Sequence, residues 1–268
     1  MEKTKPGELI EKIRKNNPLI HNITNIVVAN FTANGLLALG ASPVMADAVE
    51  ETAEMAIVSD AVVLNIGTLN EKTVEAMILA GKSANQHGVP VVLDPVGAGA
   101  TQYRTEIAQK LINTIHFSVI RGNAAEIANL IGIESDIKGV DAANVNINTT
   151  ELALEAARKL KATVAVSGKI DAVSNDSVVY LIHNGHPILT KVTGTGCLLS
   201  SVCGAFLAVE KDPVIAAASA LTTYGVAGEI ARRKIEGDFP GSFQIEFLNQ
   251  LSSINQHDIE HYGSYKLI

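Results

Sequence analysis

The sequence has no tryptophan, and aromatic residues fill only 4% of its 268 positions. Base stacking on aromatic platforms is therefore not a mode this chain relies on. Charged residues are sparse at 18%, and the net charge is −7 with no basic tract. A protein that grips nucleic acid or an anionic membrane needs the opposite balance, because clustered Lys and Arg carry the attraction to phosphate. Cysteine is scarce too, with only Cys197 and Cys203. On one helix that spacing puts them on roughly opposite faces, so no disulfide is expected, and the composition suits a reducing cytoplasm. Met1 to Lys15 mixes Lys and Glu with few apolar residues, unlike a signal peptide. No window reaches the ~18 uncharged apolar residues of a membrane span.

What is plentiful is aliphatic. Hydrophobic residues make up 47% of the chain, which implies a sizeable Ala-rich core and argues against disorder. Residues 1–268 read as one α/β domain without linker, repeat or low-complexity segment. Uninterrupted β-branched runs at 61–67, 90–94, 118–121 and 163–167 mark strands covered on both faces. Helical patterns at 69–87, 104–114, 124–131 and 149–160 alternate with them, with Asn70 as a cap. That order implies a largely parallel sheet between helical layers. Beyond Ser167 the texture changes. Short strands are expected at 172–174 and 178–182, then a hairpin at Asn184-Gly185 leading to a strand at 187–192. Helices follow at 197–209, 213–233 and 243–253, and the tail from Gln256 to Ile268 is expected to be peripheral. Asn144 to Thr150 reads as a surface loop and helix cap.

In open α/β sheets ligands gather beyond the carboxyl ends of the strands. Asn65, Asp94, Arg121, Ser167 and the Thr193–Cys197 loop all fall at such ends. Asp94 can bind Mg²⁺ directly or through water, since Mg²⁺ prefers hard oxygen ligands. Glu126 reads either as a capping partner in the first turn of its helix or as a second, indirect metal ligand. Arg121 suits a phosphate clamp. The glycine-rich loop Thr193-Gly194-Thr195-Gly196-Cys197 runs into a helix whose first N–H groups favour an anion. Cys197, placed at the first helical position, has a thiol that a helix N-terminus can activate as nucleophile or base; otherwise it only touches substrate, or is an inert small hydrophobe. Cys203 reads as core. His183 and His186 flank a turn more often solvated than metal-binding. His21 lies in a polar segment that lines a pocket or caps a helix through Thr24 or Asn25.

Several of these stretches together resemble a known family. Pro18 to Asn25 and Gly40 to Ala46 are similar to the opening of hydroxyethylthiazole kinases. Leu93 to Ala100, Arg121 to Glu126 and Thr193 to Cys197 fit the same family, in family order and across nearly the whole chain. The resemblance implies a ribokinase-like three-layer αβα sandwich, a largely parallel central sheet with a few antiparallel strands. It implies ATP-dependent, Mg²⁺-assisted phosphorylation of 4-methyl-5-(2-hydroxyethyl)thiazole in thiamine biosynthesis or salvage, by a homotrimer with active sites between subunits. By that resemblance Asn25, Val27, Met45, Gly67, Gly194 and Cys197 bind substrate, with Met45 reaching a neighbouring subunit's site. Arg121, Asn123 and Ser167 contact ATP, and Asp94 and Glu126 organise Mg²⁺. Gly194, Thr195, Gly196 and Cys197 form the transfer centre. The wider ribokinase-like group usually carries Asp as base where Cys197 stands. The rival readings are a hydroxymethylpyrimidine or pyridoxal kinase, an ATP-dependent NAD(P)H-hydrate dehydratase, and a metabolite-binding protein without catalysis.

Overall fold

The computed structural model describes residues 1–133 and 148–268. Asn144 to Ile147 of the expected surface loop therefore lie outside the described residues. Asn148 does cap a helix, accepting from the Thr150 and Glu151 amides.

The chain opens with α1 (Lys5–Asn16), β1 (Leu19–Ile23), α2 (Ala29–Leu39), β2 (Ser42–Val44) and α3 (Thr52–Val58). Then β3 (Ala61–Asn65), α4 (Glu71–His87), β4 (Val91–Asp94), α5 (Gln102–Thr114), β5 (Val119–Asn123) and α6 (Ala124–Leu130) alternate as the apolar runs require. After the undescribed stretch come α7 (Thr149–Leu160) and β6 (Thr163–Ser167). Two short strands follow, β7 (Asp171–Ser174) and β8 (Val179–Ile182). The last stretch holds α8 (Thr195–Leu207), α9 (Pro213–Lys234), α10 (Pro240–Ser253), α11 (Gln256–Tyr262) and β9 (Tyr265–Leu267).

The nine strands form one sheet in the order β2-β1-β3-β4-β5-β6-β7-β8-β9. The pairs from β2 to β6 are parallel, and those from β6 to β9 antiparallel. Alternate strand residues feed two cores. Ala61, Val63, Val92 and Val119 face the helices α1, α2, α8, α9 and α10, against Leu198, Phe206, Phe243 and Phe247. Val62, Leu64, Val91 and Leu93 face α4 to α7, against Met77, Leu111 and Ile127. Period-two alternation with both faces apolar is what a buried parallel sheet needs. The result is a three-layer αβα sandwich.

Three expectations fail for physical reasons. The stretch Pro187–Lys191 is a 3-10 helix, not a strand. Proline at its start lacks an amide to donate, and the His186 ring caps the Ile188 N–H. Asn184-Gly185 is accordingly no hairpin turn; the Asn184 amide donates to Glu229 and to the Tyr262 carbonyl. The tail is not peripheral: Tyr265–Leu267 is the sheet's last strand, paired with β8. The charged opening segment also buries Leu9, Ile10 and Ile13 as one face of α1. Helix α9 is apolar and long enough by composition to cross a membrane, but 83% of its apolar window is buried in this core.

Candidate active site

The register lines the polar strand ends up in a row. Asn65 pairs with Asp94 across β3 and β4, and Asn123 with Ser167 across β5 and β6. Parallel strands all end on the same side, so residues scattered over some hundred positions meet along one edge.

Asn65 and Asp94 are both nearly inaccessible. The Asn65 amide donates to Asp94 Oδ2 at 2.7 Å, and the Ser200 hydroxyl donates to the same oxygen at 2.9 Å. The Asn65 carbonyl oxygen accepts from the Asn25 amide at 2.9 Å and from the Gly67 N–H at 2.9 Å. Asn25 in turn lies 3.4 Å from Cys197 Sγ, within reach to donate. A continuous polar chain thus runs from the thiol to the carboxylate. Gly67 is required by close approach: a Cβ there would stand 2.5 Å from Asn25 Nδ2.

Cys197 occupies the third position of α8, not the first, because the helix begins at Thr195 with Gly194 as its N-cap. Gly194 has φ +93°, a left-handed conformation that glycine adopts without strain, and a Cβ would stand 2.8 Å from Val28 Cγ1. The loop before α2 therefore folds over the start of α8. The Thr195 hydroxyl points inward, donating to Leu189 and Val192 carbonyls, and its own carbonyl accepts from Tyr224 Oη at 2.6 Å. The Thr195 side chain thus anchors the helix, and the Thr195 N–H donates to the Val192 carbonyl, which leaves the Gly196 and Cys197 amides for an anion.

The expected lowering of the Cys197 thiol is not what this setting gives. Burial, then the charge of Asp94, push it up to about 12, so the thiol keeps its proton at neutral pH. Cys203 is fully buried core, and neither cysteine is bridged.

Arg121 crosses from β5 to α8. Its Nη1 donates to the Gly196 carbonyl at 3.0 Å and its Nη2 to Ser167 Oγ at 2.7 Å, while its buried Nε has no partner among the described residues. Glu126 is the capping partner the sequence allowed. It forms a capping box with Asn123 at the start of α6, and its second oxygen accepts from the Gly97 N–H at 2.9 Å. Burial and then the neighbouring Asp94 push its carboxyl up to about 7. Burial likewise raises Asp94, against the attraction of Arg121.

Val27 and Met45 do not join this cluster in the same way. Val27 is 68% exposed beside Ile26 at 83%. Met45 follows the edge strand β2, separated from β3 by β1. Neither Thr24 nor Asn25 caps α2, whose N-cap is Val28; His21 is buried on β1, with Nε2 2.6 Å from the Ala46 carbonyl. Among the described residues no group of three or more His, Cys, Asp or Glu side chains is gathered to hold a metal, which includes His183 and His186.

The hydroxyethylthiazole kinase family model matches residues 10–257. The chain belongs to the hydroxyethylthiazole kinase family. A hydroxyethylthiazole kinase structure from Pyrococcus horikoshii OT3 is 43% identical, with 98% of each chain covered and a TM-score of 0.89. This family assignment makes the chain a kinase, with a ribokinase-like fold. More distant likenesses agree on the fold alone. Pyridoxal kinase from Staphylococcus aureus, solved with AMP-PCP and pyridoxal, is 16% identical over 94% of this chain and 98% of that one, with a TM-score of 0.62. The ADP/ATP-dependent NAD(P)H-hydrate dehydratase from Bacillus subtilis is 14% identical over 88% of this chain and 90% of that one, with a TM-score of 0.60.

The sequence motifs named the strand-end residues but not Ser200, Arg104 or Tyr224. Ser200 lies one helical turn past Cys197, so its arrival at Asp94 follows from helical spacing once α8 is known to cross β4.

Proposed function

We propose that the chain transfers the γ-phosphoryl group of ATP to the primary alcohol of 4-methyl-5-(2-hydroxyethyl)thiazole. The observation that carries this reading is the Cys197–Asn25–Asn65–Asp94 chain, which leads from the first turn of α8 to a buried carboxylate. The acceptor alcohol sits at the Gly194–Cys197 end, beside Asn25 and Gly67, and the nucleotide lies toward Arg121, Asn123 and Ser167.

The carboxylates fit Mg²⁺ by the chemistry of the donor set. Asp94 and Glu126 are buried hard-oxygen ligands whose carboxyls are both raised, and Glu126 partly by Asp94's charge. A divalent cation relieves that repulsion. Two carboxylates and no third side chain suit an ion that keeps waters and leans on substrate phosphates. When bound, the ion supplies neutralisation of the charge on the phosphates.

The protein's own groups position and hold charge. The first-turn amides of α8 face the developing negative charge, and Arg121 fixes that turn through Gly196. The Cys197 thiol, protonated, contacts the alcohol instead of removing its proton. Transfer through a loose transition state asks little of a base, because bond breaking to the leaving phosphate leads. The alcohol proton is then lost late, to phosphate oxygen or water.

The exposed Ile26 and Val27 beside the site, and Met45 directly after the edge strand, support a homotrimer in which one subunit's Met45 closes its neighbour's thiazole pocket. Residues 1–268 act as one kinase domain, in the cytoplasm. A coupled ATP assay over the thiazole, hydroxymethylpyrimidine and pyridoxal alcohols, with and without Mg²⁺, tests the reading. Turnover with the thiazole alcohol that depends on Mg²⁺ is expected; preference for either other alcohol overturns it.

A further inference from the structure

Arg104 is a cation in an unusual place. It stands at the third position of α5, where Thr101 Oγ1 caps its N–H. The first turn of a helix favours acids and disfavours a cation. No acid is present in that turn. The guanidinium leaves its helix and reaches the strand ends. Nη1 donates to the Ile66 carbonyl at 2.7 Å and the Val96 carbonyl at 2.9 Å, and Nη2 to the Gly67 carbonyl at 2.8 Å. Those three acceptors belong to two separate segments, one leaving β3 and one leaving β4.

Each segment carries half of the site. Gly67 packs against the Asn25 amide, which reaches Cys197 Sγ. Val96 lies between Asp94 and Gly97, whose N–H holds Glu126. Without Arg104, three carbonyls beyond the sheet would lose their donor and the two segments would lose their common strut. A planar fork holds its N–H groups in fixed directions, so it ties three carbonyls into one geometry where a lysine's rotatable ammonium would not.

We infer that Arg104 is a positioning residue for phosphoryl transfer, pinning the acceptor wall at Gly67 and the Asp94–Gly97 loop in one geometry. The inference rests on the phosphotransfer reading of the site, but its geometry is independent of which alcohol is used.

The test compares Arg104→Met and Arg104→Lys with the wild-type enzyme. Thermal melting, kcat and KM for the thiazole alcohol, and the rate at which iodoacetamide modifies Cys197 are measured for each. Cys203, fully buried, is the internal control for unfolding. Arg104→Met is expected to lower kcat/KM about 10²-fold, the scale of a small misplacement at a reacting centre. It is also expected to raise the Cys197 modification rate while Cys203 stays protected. Arg104→Lys restores the charge but not the fork, so it recovers only part of both effects; if Arg104→Met does not fold, Arg104→Lys alone must still show them. Wild-type kcat/KM and wild-type Cys197 reactivity in a variant that merely melts earlier would overturn the inference. A faster Cys197 reaction in an enzyme that does not phosphorylate the thiazole alcohol would uphold the strut and reject the substrate assignment.

Discussion

Asn65 and Asp94 are register partners on adjacent parallel strands, and the Asn65 amide donates to Asp94 Oδ2 at 2.7 Å. Asn65 holds the carboxylate with its nitrogen and the acceptor-side Asn25 with its oxygen. Replacing it by aspartate keeps the shape but exchanges a donor for a second buried negative charge. Asn65→Asp should cost roughly 1–3 kcal/mol of stability, the range for a buried group left unsatisfied. The loss should shrink as the pH falls, because a shared proton restores a donor between the two oxygens. Urea denaturation at pH 8 and pH 5 measures both.

Gly194→Ala puts a side chain where φ is +93° and where Val28 Cγ1 would lie 2.8 Å away. The left-handed conformation alone costs about 1–2 kcal/mol for an L-residue. The variant should melt earlier, and the start of α8 should shift, lowering kcat/KM. Differential scanning calorimetry with steady-state kinetics checks the pair of effects.

Glu126 sets a pH dependence whose sign is fixed by its direction. Its folded carboxyl titrates at about 7 against an ordinary 4.5, so the folded protein binds more protons than the unfolded one between those values. Stability from this group is full below the ordinary value and is lost as the pH rises through about 7. Asp171, raised to about 6 chiefly by burial, adds to the same trend. Without Mg²⁺ the melting temperature should therefore fall between pH 5 and pH 8. Glu126→Gln should flatten that fall, and Mg²⁺ with nucleotide should do the same in the wild type.

The fold was legible where chemistry is local. The β-branched runs of β3 to β6 and the cap Asn70 are written in the sequence and recur in the structure. Strand β1 was hidden because its His21 and Asn22 look like loop residues. They are buried polar groups: His21 Nε2 lies against the Ala46 carbonyl and Asn22 Oδ1 accepts from the Ser201 hydroxyl. At the site, the strand-end positions could be read but not their pairing, since the Asn65–Asp94 bond depends on which strands are neighbours. The raised thiol was hidden for another reason. Helix position pulls its titration down, and only the fold reveals that burial outweighs it.

Val27 is 68% exposed next to the site, which suits an apolar contact completed by another subunit. Val27→Asp should raise KM for the thiazole alcohol and convert the assembly to smaller species. Light scattering coupled to gel filtration should show a trimer for the wild type and a smaller mass for the variant.

The central claim is that transfer proceeds by positioning, with Cys197 keeping its proton. The most direct measurement is the single-turnover rate of Cys197→Ser with saturating Mg·ATP and thiazole alcohol. Folding and substrate binding are verified on the same sample. The account predicts a rate within about tenfold of wild type, well short of the ~10²–10⁴-fold contribution of a general base. A fall of that larger size, with folding and binding intact, would contradict it.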